Sequence, residues 1–221
     1  MLEERVRAIT QKISKAKALV HREDAVRFIG VTKYVDTKKA RELVEVGVKD
    51  LAENRTDLFL EKYHALSDLE VTWHLIGTLQ RRKVKDVINL IDYFHALDSL
   101  KLAEEINKRA EKEILTFVQV NVSGEASKHG ISAEELLDFI EQLKKFESIK
   151  VVGLMTLAPI EATEPQLRNY FSKLRKCRDT VQRLGLVHAP CTELSMGMSR
   201  DYQIAVEEGA TYVRIGSELF R

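Results

Sequence analysis

Cysteine, proline and tryptophan are scarce in this chain of 221 residues, which holds two, three and one of them. The two thiols, Cys177 and Cys191, form no C-x-x-C pair and no metal-type cluster, so no metal site is expected and the reading is a pair of reduced thiols in a reducing compartment. The three prolines (Pro159, Pro165 and Pro190) and ten glycines make no linker-like stretch, and residues 1–221 read as one domain. An excess of one charge is also missing: 35 Lys and Arg stand against 34 Asp and Glu, a net charge of +1. That balance argues against a non-specific nucleic-acid binder, which needs a clustered cationic surface. No apolar run approaches the roughly 20 residues that cross a bilayer. No signal-like segment follows the opening Met-Leu-Glu-Glu-Arg, so the expected location is cytoplasmic, without a membrane partner. With 44% hydrophobic and 31% charged residues, the chain can bury enough surface to offset its entropy, which excludes disorder as its main state.

What is present is alternation. Strand-like apolar runs occupy 26–32, 48–52, 71–76, 91–96, 114–121, 151–155, 192–195 and 212–215. Several are almost continuous in Val, Ile, Leu or Phe, as strands buried on both faces are. Between them lie amphipathic, helix-like segments at 37–46, 54–66, 79–88, 99–111, 132–145, 164–184 and 200–208, and a further helix at about 3–20 precedes the first strand. Ser132 with Glu135, and Thr163 with Gln166, have capping-box spacing, and Pro165 falls in a first helical turn. Eight strands alternating with helices predict a single α/β domain, a (β/α)8 TIM barrel with an extra N-terminal helix. The competitor is a doubly wound open sheet, but the turn after the first strand reads Val31-Thr32-Lys33-Tyr34 and lacks the glycines usual there.

In such a barrel, chemistry gathers at the C-terminal ends of the strands. Two serine–glycine loops stand there, Ser195-Met196-Gly197-Met198-Ser199 and Arg214-Ile215-Gly216-Ser217. Alone, each glycine is a tight turn and Ser199 an N-cap. Together, after the seventh and eighth strands, they match the position where these barrels bind phosphate. Lys33 follows the first strand, with Phe28, Ile29 and Val31 as apolar neighbours. A lysine desolvated in such a place becomes a nucleophile toward aldehydes and forms a Schiff base. One ligand with both a carbonyl and a phosphate would satisfy these features; pyridoxal 5′-phosphate (PLP) fits, and so does a sugar phosphate. If the ligand is PLP, Arg214 is placed to reach the pyridine nitrogen. Arginine only donates hydrogen bonds, so that nitrogen would stay unprotonated and the cofactor would be a weak electron sink, suited to restrained chemistry or storage.

These residues carry a resemblance that runs along essentially the whole chain. Gly30-Val31-Thr32-Lys33, Ala52-Glu53-Asn54, Trp73-His74-Leu75-Ile76-Gly77-Thr78-Leu79-Gln80, Val120-Asn121-Val122-Ser123-Gly124-Glu125, Gly153-Leu154-Met155-Thr156, the 194–199 segment and Val213-Arg214-Ile215-Gly216 follow one another in order. The chain resembles the YggS/PROSC family of PLP homeostasis proteins, which share a fold with the N-terminal domain of alanine racemase. The resemblance implies that Lys33 carries PLP, that Ser199, Gly216 and Ser217 hold its phosphate, and that Arg214 faces the ring nitrogen. It further implies that Asn54, Met155 and Ser195 line the cavity. Thr32 stands where the family often has Ser, and Ser217 where it often has Thr; both keep a hydroxyl.

The function expected is PLP binding for homeostasis or carriage, with apo PLP-dependent enzymes as candidate partners and a monomeric state. The alternative is a PLP-dependent amino-acid racemase of weak or narrow activity. Racemisation needs two bases on opposite faces of the substrate carbon. In alanine racemase relatives the second is a tyrosine from a C-terminal domain, which is expected to be missing here. Tyr34 is expected to point away from Lys33, and Tyr202 to serve packing or the surface. A Schiff-base aldolase is a third reading; beyond Glu53, no strand end offers the carboxylate it needs. His74 is expected to be a hydrogen-bonded core residue, and Arg81-Arg82-Lys83 a solvated helix start. The first helix would either cover the barrel floor or help form a dimer.

Overall fold

The computed structural model describes residues 1–126 and 129–221. Its elements run α1 (Leu2–Leu19), β1 (Arg27–Val31), α2 (Thr37–Glu45), β2 (Asp50–Glu53), α3 (Thr56–Ala65) and β3 (Thr72–Leu75). A 3-10 turn (Arg81–Lys83) leads into α4 (Val84–Val87), followed by β4 (Tyr93–Leu97), α5 (Leu100–Arg109), β5 (Ile114–Asn121) and β6 (Ile131–Ser132). Then come α6 (Leu136–Leu143), β7 (Ile149–Met155), α7 (Glu164–Arg183), β8 (Glu193–Met198), α8 (Tyr202–Glu207), β9 (Tyr212–Ile215) and α9 (Ser217–Phe220). The strands follow the order β4-β3-β2-β1-β9-β8-β7-β5, and pairing of β4 with β5 closes the ring. Every ladder is parallel, and the two-residue β6 only extends β5 at its end. The protein is therefore a (β/α)8 barrel with an added N-terminal helix, as the alternation of its sequence implies.

Register decides which side chains enter the barrel. Ile29 lies beside Arg214, Val31 beside Ala52, Ala52 beside His74, and Met155 beside Ser195. Laterally paired residues share a face and successive residues alternate. Gly30 is thus an outward position, and a Cβ there would meet Leu43 Cδ2 of α2 at 2.6 Å. Glycine lets that helix sit close against β1.

The helix starts follow local chemistry. Asp36 accepts from the Lys39 amide, Ser99 from Leu102, and Thr163 with Gln166 closes a capping box with a proline in the first turn. Ser132 departs from expectation. It belongs to β6, its Oγ bonds the Glu135 amide and carboxylate, and α6 starts only at Leu136. The helix expected at 79–88 shrinks to the 3-10 turn and one α turn. Leu79, Val84, Val87 and Ile88 are buried, and the five-residue step between the first two fits no single helical face. Arg81, Arg82 and Lys83 lie in that turn, and none is buried.

Helix α1 lies in the outer ring and does not cover the floor. Ile9, Ile13 and Ala16 are buried within the chain, where α1 packs against α8, α9 and α2 in the outer ring. Arg5 donates to the Leu219 carbonyl at 2.9 Å, and Lys12 pairs with Glu218 at 2.6 Å. The floor is filled from inside by Tyr93 and Tyr212, whose ring centroids lie 6.0 and 5.4 Å from the Arg27 guanidinium carbon. A concavity of about 550 Å³ opens at this end, lined by Arg22, Arg175, Arg178, Glu193 and Glu207 among others, away from Lys33. Cys177 and Cys191 are free thiols, and no helix of the described residues is long and apolar enough to cross a membrane.

Candidate functional site

Met155 and Arg214 face inward near the C-terminal ends of β7 and β9, Glu53 at the end of β2 faces outward, and Lys33, Asn54 and Gly216 follow closely on the ends of β1, β2 and β9 at the same mouth of the barrel. Lys33 is half-buried and lies just past the end of β1, in a turn closed by the Val35 amide on the Thr32 carbonyl at 3.1 Å. The Tyr34 ring does not point away from it: its centroid lies 4.8 Å from Lys33 Nζ and 5.3 Å from the Arg221 guanidinium carbon. Strand alternation fails there because the strand has already ended at Val31.

Beneath this turn sits a buried ion pair. Lys62 Nζ of α3 lies 2.5 Å from Glu53 Oε1 and donates to the Thr32 carbonyl at 2.8 Å, while Thr32 Oγ1 donates to the same carboxylate oxygen at 2.6 Å. Lys62 is 2% exposed and Glu53 is fully buried. The lysine therefore grips the peptide link that leads into Lys33. Among the described residues, Glu53 Oε2 and Asn54 Oδ1 are buried without a hydrogen-bond partner. The second lies just past the end of β2, so this end of the barrel holds a buried acceptor without a donor among those residues.

Across the barrel, Arg214 is buried. Its Nη1 donates to Ser195 Oγ at 2.6 Å and its Nη2 to the Thr156 carbonyl at 2.9 Å. Burial lowers its pKa to about 10, partly offset by Asp201, whose own carboxyl burial pushes up. Ser195 also meets His95 Nδ1 at 2.8 Å, so its hydroxyl is engaged below the mouth rather than lining it freely. His95 Nε2 lies 2.8 Å from His74 Nδ1, and His74 Nε2 lies 2.8 Å from Asp50 Oδ1. His74 is the hydrogen-bonded core residue its place suggests. Both imidazoles are held below the usual histidine pKa, chiefly by burial.

The loops after β8 and β9 are tied together. Ser199 Oγ accepts from the amides of Gly216 and Glu218, each at 3.2 Å, so this serine caps α9 and not α8. Ser217 is the half-buried first residue of α9. Gly197 has φ +99°, and a Cβ there would meet Ala205 Cβ at 2.6 Å; its missing side chain admits α8. A Cβ on Gly216 would come within 3.1 Å of the Val31 carbonyl. Met155 is buried beneath. The structure thus brings all eight sequence-predicted residues to one end of the barrel. His95, Asp50 and Lys62 are functional candidates that sequence reading missed. Among the described residues, no three His, Cys, Asp or Glu side chains are grouped to hold a metal.

The alanine racemase N-terminal domain model matches residues 4–221. The chain belongs to that family. A relative named pyridoxal phosphate homeostasis protein, from Aquifex aeolicus, is 42% identical over 221 residues, covering 98% of this chain and 96% of its own. The structure of PipY from Synechococcus elongatus with PLP bound superposes with a TM-score of 0.89 at 30% identity, covering 100% of both chains. Alanine racemase of Clostridium difficile in complex with cycloserine gives a TM-score of 0.76 at 20% identity, with 98% of this chain and 59% of that one covered. This family member therefore shares the alanine racemase barrel in its fold, and resembles the PLP homeostasis proteins along nearly its whole length.

Proposed function

We propose that the protein binds pyridoxal 5′-phosphate at the C-terminal mouth of its barrel and serves in PLP homeostasis, holding and releasing the cofactor. One observation carries the reading. Lys33, just past the end of β1, and Arg214, on the inward face of the adjoining β9, stand at the same end of the barrel, where Asn54 Oδ1 is a buried acceptor with no donor among the described residues. The residues present fit the group. PLP supplies an aldehyde that condenses with an amine with loss of one water. Lys33 is the amine offered to it. Arg214 is a pure donor, with N–H groups beyond those given to Ser195 and Thr156, suited to an unprotonated ring nitrogen. Ser199, Gly216 and Ser217 are assigned to the phosphate, with the Ser199 and Ser217 hydroxyls as donors; the Gly216 and Glu218 amides already bond Ser199 Oγ and hold it in place. Asn54 and Met155 border the cavity, and Ser195 supports it through Arg214. The names of the relatives and the PLP complex of PipY support this reading.

Carriage is favoured over racemisation. Of the two tyrosines near the mouth, Tyr202 is buried and donates to Glu218 Oε1 at 3.2 Å, so its hydroxyl is not offered to a substrate. Tyr34 is 59% exposed beside Lys33, on its side of the site and not opposite it. Apo PLP-dependent enzymes as recipients, a monomeric state and a cytoplasmic location belong to the same proposal; the two free thiols support the last.

The test is equilibrium uptake of PLP, followed by visible absorbance and retention through gel filtration, for wild type and Lys33→Ala. Stoichiometric yellow protein is expected for wild type and colourless protein for the variant. Equal uptake by both would overturn the assignment.

A further inference from the structure

The interior of the barrel holds a continuous hydrogen-bonded line from its floor to its mouth: Asp50, His74, His95, Ser195, Arg214, in contacts of 2.6–2.8 Å. We infer that His95 is a positioning residue which, through Ser195 and with its own proton placed by His74 and Asp50, fixes the orientation of the Arg214 guanidinium toward the ring of the bound cofactor. This rests on the PLP-binding reading above.

The direction of the line follows from valence. Arg214 can only donate, so Ser195 Oγ accepts from it and has its own proton to give. The partner for that proton is His95 Nδ1, which must then be a bare acceptor, so the proton of a neutral His95 is on Nε2. That nitrogen donates to His74 Nδ1, and the proton of His74 is on its Nε2, directed at the Asp50 carboxylate. Each atom has one role, with the cation at the mouth and the anion at the floor. Reversing the line would leave the Ser195 proton without this acceptor, a costly arrangement at a fully buried hydroxyl.

Packing holds the rings in place. His74 stacks on Tyr93 with centroids 4.8 Å apart, and His95 on Phe117 at 4.3 Å, with interplanar angles of 8° and 18°. The charged and titratable neighbours are Arg27 of β1, Asp50 of β2, Tyr93 of β4, Asp92 just before it, and Tyr212 and Arg214 of β9. Asp50 Oδ1 also lies 3.7 Å from Arg27 Nη1. The arrangement resembles other cases in which an outer partner sets which imidazole nitrogen carries the proton. Here, in contrast, the terminal group is a guanidinium, and the consequence is orientation.

The experiment has two arms. In the first, long-range proton–nitrogen NMR of protein labelled at histidine nitrogen reads the tautomers at neutral pH without any added ligand. Both His74 and His95 are expected to be neutral with the proton on Nε2. In Asp50→Asn, whose amide can donate to His74 Nε2, both are expected to shift toward the Nδ1 form. In the second arm, PLP is added to wild type, Ser195→Ala and Asp50→Asn. The absorption band of bound PLP is expected to move in the same direction in both variants, although Asp50 lies at the far end of the line. An Nδ1 proton or a doubly protonated ring in wild type, or an unmoved band in both variants, overturns the inference. Failure of wild type to take up PLP would count against the binding reading itself, and the tautomers then decide the line alone.

Discussion

Replacing Lys62 with methionine isolates the ion pair beneath the Lys33 turn. The ammonium sits 2.5 Å from Glu53 Oε1 and 2.8 Å from the Thr32 carbonyl, in a site only 2% exposed. Methionine keeps the apolar stem and removes the charge. Glu53, fully buried, is then left with only the Thr32 hydroxyl as a partner. Breaking a buried pair by removing one member costs about 3–5 kcal/mol, because the other charge stays desolvated. At about 2–4 °C per kcal/mol for a chain of this size, the melting temperature should fall by about 6–20 °C. Urea unfolding followed by circular dichroism gives the free energy directly. Adding Glu53→Gln to Lys62→Met should recover a large part of the loss, since the stranded charge is gone. A Lys62→Met protein within about 1 kcal/mol of wild type, the range of a surface pair, would refute the reasoning.

Three further outcomes follow from individual sites. His74 and His95 are held below their ordinary value of about 6.5, so below that pH the unfolded chain binds more protons than the native one. Stability should therefore be intact above about pH 6.5 and decline on acidification toward the lowered native values, by up to about 1.4 kcal/mol per pH unit for each histidine; denaturant titrations between pH 5 and 8 would show it, and a flat profile would contradict it. Gly197→Ala places a side chain at φ +99° and 2.6 Å from Ala205 Cβ, and should cost about 1–3 kcal/mol or more by the same unfolding measurement. Burial pushes the Cys191 thiol up to about 12, so in native protein a disulfide-exchange reagent should titrate the half-buried Cys177 first and Cys191 only after unfolding.

Much of the fold is legible in the sequence. Runs rich in Val, Ile and Leu separated by amphipathic segments point to a parallel sheet covered on both faces, and the eight repeats without a glycine-rich first turn point to its closed form. The serine–glycine loops and Lys33 were found by reading strand ends. The missed residues had weaker but real signals. Lys62 lies on the stripe Phe59, Lys62, Tyr63 of α3, continued by Leu66 just past its end, and a lysine on an apolar helical face demands a buried carboxylate, which Glu53 supplies. His95 lies two residues beyond Tyr93 in the strand-like run 91–96, and so shares its face. What the sequence could not show is register. Without knowing that Ala52 sits beside His74, nothing links Asp50 to His74, or His95 to a serine one hundred residues away. Alternation cannot orient Tyr34, because β1 ends at Val31.

Reduction with borohydride after incubation with PLP, followed by peptide mapping, tests the assignment of Lys33 most directly. The expected result is a single pyridoxyl adduct on the peptide containing Lys33, absent from Lys33→Ala. An adduct on Lys62 or on surface lysines alone, unchanged in Lys33→Ala, would contradict it.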